Sequence, residues 1–266
     1  MSGVSVRPDR TTMEGMIWNA NHVLEKALSP DTPGIPRGMI QNCKGIILLS
    51  VVEAGFIFSG NVGTGVMIAH KYEDDSWSPP SALGLGGIGF GFMVGAEIKD
   101  IVICVMDDTT LDTLSGEHQV KIGGQISATM GPVGREAESA INFSEQGVGA
   151  TYTYTFSKGI FGGISLESAI LNVRSKENEN FYGKSAKAKE ILWENAVESP
   201  KGKGIEELHY KLELLRKGKV WVPTPKDLEK KDSMRIDADA AGVAAKADQT
   251  DVVKVDAKEE AAKEIV

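Results

Sequence analysis

Apolar residues recur at helical intervals at the start of the chain, where Met13, Met16, Ile17, Ala20, Leu24 and Leu28 form one stripe with Trp18 beside it. The spacing predicts a helix over Thr11 to Leu28. Thr11 and Glu14 stand at capping-box distance, and Ser29-Pro30 ends the pattern because a residue before proline avoids helical dihedrals. A Pro/Gly-rich linker, Asp31 to Gly38, follows. From Lys44 the period changes. Gly45-Ile-Ile-Leu-Leu-Ser-Val-Val52, Gly55-Phe-Ile-Phe-Ser-Gly60 and Gly65-Val-Met-Ile-Ala-His-Lys-Tyr72 are short β-rich runs punctuated by glycine, and they predict buried strands.

Ser76 to Gly95 alternates glycine with apolar residues after a Trp and two prolines. Glycine in an apolar strand marks a bulge, a bend or a close backbone approach, so this run is expected in a crowded, curved sheet, with Trp77, Leu83, Leu85, Phe90 and Phe92 filling the gaps. Ile101 to Met106 reads as another strand, and Asp107 to Leu114 as a short helix with helix-start residues. Val120 to Thr129 and Ala150 to Phe156 alternate, the latter with threonines on one face, which predicts antiparallel pairing with one face partly wet. Phe161 to Val173 adds further strand. Helical sequence returns over Ala186 to Val197 and Ile205 to Leu215. The fold class is therefore α+β: a curved, mostly antiparallel, glycine-rich sheet, barrel-like in the limit, with an N-terminal helix and C-terminal helices packed on it. Residues 1–11 read as a flexible N-terminus, 12–222 as one domain, and 223–266 as a disordered, Ala/Asp/Glu/Lys-rich tail without the large apolar residues needed to offset ordering.

Charge narrows the partners. The 266-residue chain carries a formal net charge of -8, which argues against general nucleic-acid binding, since that relies on a basic field. Cys43 and Cys104 are the only cysteines and sit in or beside apolar runs, as buried thiols of a reducing compartment do. No apolar run approaches the ~18 residues of a spanning helix and no secretory signal opens the sequence, so a cytoplasmic protein with peripheral membrane contact is expected.

Catalytic patterns are weak. Gly84-Leu-Gly-Gly-Ile-Gly89 fits G-x-G-x-x-G, but the prolines before it and the glycines after it deny the strand-to-helix context that a pyrophosphate needs. Gly163-Ile-Ser-Leu-Glu167 has Glu where a nucleophile elbow needs glycine. The four histidines are scattered, and Asp107, Asp108 and Asp112 suit a helix start better than a cation, so no cofactor, metal or enzyme activity is expected. Basic residues at turns and element ends, Lys44, Arg135 and Lys158 among them, are candidate contacts for lipid headgroups.

The order of motifs resembles the SYLF domain family, lipid-binding modules also described as actin-binding domains of fungal endocytic proteins. The matching stretches are Lys44-Gly-Ile-Ile-Leu-Leu-Ser-Val, Gly63-Thr-Gly-Val, Trp77-Ser-Pro-Pro-Ser-Ala, the Gly84 to Gly95 run, Gly131-Pro-Val-Gly-Arg135, Tyr154 to Glu167 and Asn180-Phe-Tyr-Gly183. The resemblance implies a non-enzymatic module that binds phosphoinositides or other anionic phospholipids, with links to actin and to endocytic or vesicle traffic. It also implies that the N-terminal helix, here Thr12 to Leu28, engages the bilayer. Met13, Met16, Ile17 and Trp18 would then insert, with Lys26 nearby, while packing of the same stripe on the core is the competing reading. A lipid-independent actin-binding scaffold and a carrier enclosing a lipid or small apolar ligand are the alternative functions.

Overall fold

The computed structural model describes residues 8–55, 58–90, 95–121, 127–130, 150–157, 160–162 and 169–221. Pro8–Val222 form a compact unit. The tail lies outside the described residues, as do Arg135, Lys158 and Ser165.

The apolar stripe at the start becomes α1, Met13–Leu28. Its cap is Thr12 rather than Thr11: the Thr12 hydroxyl accepts from the Gly15 N–H, while Thr11 turns back to Asp9, donating its N–H and hydroxyl to Oδ1 at 2.8 and 2.9 Å. The Glu177 carboxylate accepts a second first-turn donor, the Met13 N–H, at 2.7 Å, so the orphan groups of the helix start are shared between near and distant sequence. The expected linker, Asp31 to Gly38, runs into a short helix, α2, Arg37–Asn42.

The sheet follows. Strands β1, Gly45–Gly55, and β2, Phe58–Lys71, form a long antiparallel pair, so two of the expected short strands are one. Next come β3, Ser76–Trp77; β4, Ser81–Phe90; and β5, Gly95–Val105. A helix α3, Asp108–Leu114, is capped by Asp107 as its sequence predicts. Strands β6, Val120–Lys121; β7, Ser127–Met130; β8, Ala150–Ser157; β9, Ile160–Gly162; and β10, Ala169–Val173 complete the set. Helices α4, Ser175–Tyr182; α5, Ala188–Trp193; and α6, Ile205–Arg216 close the unit.

The strand order is β6-β10-β4-β2-β1-β5-β8-β7, with β3 beside β2 and β9 beside β8. Every pairing is antiparallel except β7 with β8. The result is a curled antiparallel half-barrel with an N-terminal helix and C-terminal helices, the α+β class that the sequence predicts.

Both faces of this sheet are covered over most of its length, which explains the continuous apolar runs. On one face Ile46, Leu48, Val66, Ile68, Val102 and Cys104 pack with α1, α2 and α6. On the other, Ile47, Leu49, Met67, Leu83, Ile101 and Ile103 pack with Leu111 and Leu114 of α3 and Leu192 of α5. Trp77 joins the first cluster and Leu85 the second. The threonine face of β8 is not wet, as its alternation had implied: Thr151, Thr153 and Thr155 are all buried. Cys43 ends α2 with its thiol donating to the Ile40 carbonyl at 3.3 Å, and Cys104 sits opposite Ile46; both are free and buried.

Candidate interaction surface

Helix α1 carries most of the expected membrane contacts, and the structure turns its apolar side inward. Met13, Met16 and Ile17 are fully buried and belong to the core with Val23, Leu24 and Leu28. The competing reading of the stripe, core packing, is the arrangement observed. Trp18 is half-buried and stacks on His22, with ring centroids 3.8 Å apart. At about 1.5–3 kcal/mol per buried large side chain, freeing six of them would cost on the order of 10 kcal/mol, as much as a whole domain's stability.

Charged contacts tie the helix down along its length. Glu14 pairs with Lys203 at 3.0 Å, Glu25 with Lys211 at 2.9 Å, and Lys26 with Asp100. Lys211 is itself buried; it also holds Glu207 at 2.7 Å and lies over the Trp221 ring, whose backbone N–H donates to the Leu28 carbonyl. Lys211 escaped the sequence reading, yet its position carried the signal: it stands three residues after Leu208 and four before Leu215, on the apolar stripe of α6.

Lys44 does not join α1. It sits at the opposite end of β1, 3.5 Å from Asp108 and 4.3 Å above the Tyr72 ring, whose hydroxyl donates to the Cys43 carbonyl. The acidic cluster is likewise engaged locally. Asp107 accepts from the N–H and hydroxyl of Thr110, Asp108 meets Lys44, and Asp112 pairs with Lys189. Among the described residues no group of three or more His, Cys, Asp or Glu is placed to hold a metal.

The remaining polar network joins the β2–β3 turn to α6. His70 Nε2 lies 3.1 Å from Asp75 Oδ1, with its ring against Tyr72 and Trp77. Trp77 Nε1 donates to Glu213, which Arg216 also holds through two nitrogens at 3.0 Å. Burial pulls the Glu213 carboxyl up, but the Arg216 hydrogen bond and charge outweigh it and keep the group below its usual range. His209 Nε2 meets the Ser78 carbonyl at 3.0 Å. These contacts fix a turn; they bring no nucleophile to a base. The glycines from Gly84 to Gly89 lie inside β4, so they offer a pyrophosphate no helix N-terminus.

Residues 86–214 match the family model Ysc84, described as Las17-binding protein actin regulator. LAS seventeen-binding protein 3 of Saccharomyces cerevisiae is 39% identical over 158 residues, which are 59% of this chain and 34% of that protein. Protein YSC84 of the same yeast matches at the same identity and span of 158 residues. SH3 domain-containing YSC84-like protein 1 of Mus musculus is 34% identical over 174 residues, 65% of this chain and 50% of that protein. The chain thus spans about a third to a half of the length of these curated relatives. Residues 86–214 thus carry a match to the Ysc84 family, the SYLF family that the chain's motifs resemble.

Proposed function

We propose that the chain is a non-enzymatic peripheral module that works with actin and its Las17-type regulators at anionic, phosphoinositide-containing membranes in endocytic or vesicle traffic. The observation that carries the actin side is the match of residues 86–214 to a family described as Las17-binding actin regulators, with two yeast relatives at 39% identity. Among the described residues, Lys44, Lys189 and Lys211 pair with Asp108, Asp112 and Glu25, and Asp107 caps α3. The membrane side rests on the family resemblance. No helix of the described residues is long and apolar enough to cross a bilayer, so contact with lipid would be peripheral.

Two co-sedimentation assays test the halves separately. The chain is expected to pellet with actin filaments, or with a Las17-type partner, in lipid-free buffer, and with phosphatidylserine or phosphoinositide vesicles at low salt. Absence of pelleting with every anionic vesicle would leave the lipid-independent scaffold. Pelleting with vesicles alone would remove the direct link to actin.

A further inference from the structure

The end of α6 turns the chain back onto α1. After Arg216 closes the helix, the Gly218 N–H donates to the Leu215 carbonyl at 3.0 Å and the Lys219 N–H to the Leu214 carbonyl at 2.9 Å. This pair of bonds requires a left-handed residue between them, and Gly218 supplies it with a φ of +65°. Two residues beyond Lys219, the Trp221 N–H donates to the Leu28 carbonyl at 3.0 Å, an acceptor that the last turn of α1 leaves without an intrahelical donor. Gly218–Trp221 is therefore a strap from the end of one helix to the end of the other.

The strap is fastened at its far end. Lys217, Gly218, Lys219 and Val220 are all exposed, Val220 at 43%, whereas Trp221 is half-buried and packs against the core cluster of α1, α2 and α6. A segment with one inward side chain has few buried contacts to hold it, which is the profile of a part that opens by itself. The compact unit ends at the next residue, Val222, so Trp221 is the last fastening before the chain leaves it.

The Trp221 ring covers a charge. Its centroid lies 5.1 Å from Lys211 Nζ, and Lys211 is 1% exposed. The ammonium holds Glu25 of α1 at 2.9 Å and Glu207 of its own helix at 2.7 Å, and it reaches the Asn21 carbonyl of α1 at 3.5 Å. Trp221 and Lys211 thus grip the same stretch of α1, Asn21 to Leu28, one through the backbone and one through its side chain. Two effects oppose each other at the seated ring. Burial of the indole and its cation–π contact favour the closed strap, while an ammonium shut off from water favours opening. Their difference is small beside the stability of the whole unit, so the strap opens while the sheet stays folded.

We propose that Gly218–Trp221 is a latch that opens without the rest of the fold and, in opening, loosens the C-terminal half of α1. Lifting Trp221 removes the donor from the Leu28 carbonyl and admits water to Lys211, and a solvated ion pair holds Glu25 less firmly than a covered one. The first turn of α1 is fastened separately, by Glu177 at the Met13 N–H and by Lys203 at Glu14, and Lys26 keeps Asp100 of the sheet. The loosening is therefore confined to the far end of the helix. A pull on the chain beyond Val222 acts on α1 through this one residue.

The test is amide hydrogen exchange of the full chain across low urea concentrations. The Trp221 amide should exchange through an opening that urea barely changes, about tenfold or more above the rate of the β1 amides, as local openings do. Trp221→Ala should speed exchange across Glu25–Leu28 by about tenfold, given the lost burial of a large side chain, and should affect Gly15 and Met16 of the first turn less. The paired Lys211→Met and Glu25→Gln variant removes the ions that gain water on opening, so Trp221 should open more rarely in it, a gain in protection that misfolding cannot mimic. Opening of Trp221 only together with β1 overturns the proposal. So does equal acceleration at both ends of α1 in Trp221→Ala, or a strap that opens as often in the paired variant as in the unsubstituted chain. Should Trp221→Ala fail to fold, the unsubstituted chain and the paired variant still decide.

Discussion

At Gly65 a single added carbon would lie 1.9 Å from the Leu48 carbonyl oxygen, a backbone atom that cannot swing aside. At Gly87 the nearest obstacle, at 2.5 Å, is the end of the Asn61 side chain, and at Gly86 there is none. Gly65→Ala is therefore expected to cost more than about 3 kcal/mol or abolish folding, while Gly86→Ala stays within roughly 0.5 kcal/mol; urea midpoints of the purified variants check this. The sequence marks the whole Ser76 to Gly95 run as crowded, because glycine frequency locates a close sheet but only strand register says which glycine meets a carbonyl. Titration adds a second prediction at this scale. Burial pulls the His209 imidazole below its ordinary pKa of 6.5, although the Ser78 carbonyl opposes the shift. The neutral ring is then favoured in the folded state. Its contribution to stability is complete above about pH 6.5 and is lost as pH falls below that value. Thermal midpoints should decline between about pH 7 and pH 5.5, and His209→Gln should flatten that decline.

Elements differ in how openly the sequence declares them. Helix α1 is plain from its stripe, yet its cap was assigned one residue early, because Thr11 and Thr12 are both competent and only Asp9 decides between them. Thr12→Ala should cost about 1 kcal/mol of stability and Thr11→Ala less, measured by denaturant unfolding. Helix α4 shows the opposite case. Its sequence, SKENENFY, has no stripe, and its one fully buried residue is Asn178, which donates to Ser81 Oγ at 3.0 Å and accepts from the Ala82 N–H at 2.7 Å. Tyr182 adds a hydrogen bond to the Pro80 carbonyl at 2.6 Å. An element docked through polar contacts leaves no hydrophobic period to read.

For the whole unit, the curled antiparallel sheet and its flanking helices were legible because glycine punctuation and unbroken apolar runs reflect a sheet covered on both faces. The threonines of β8 misled for the same reason: alternation of size mimics alternation of wetness. The exposure of Val62 and Ile98 on the α1 side of the sheet could not be read at all. Val62 and Ile98 look like every other strand residue, and what distinguishes them is where α1 stops. The residues that sequence offered for insertion, Met13, Met16 and Ile17, form the buried face of α1, and whether such a face meets lipid or core depends on the sheet beneath it.

The buried thiols give the unit an internal clock. Cys104 is hydrogen-bonded to Cys43 and buried, and the two effects together hold its thiol well above the usual range. Because both thiols are buried, and the thiolate that alkylates is disfavoured at Cys104, neither cysteine meets reagent until α2 and the end of β5 part. Time-resolved alkylation followed by intact mass should show both thiols modified together, at a rate that rises with urea alongside global unfolding. Early single modification would show that α2 opens by itself. The same unlabelled chain would then report, through two sulfur atoms at its centre, how often the sheet lets go of its helices.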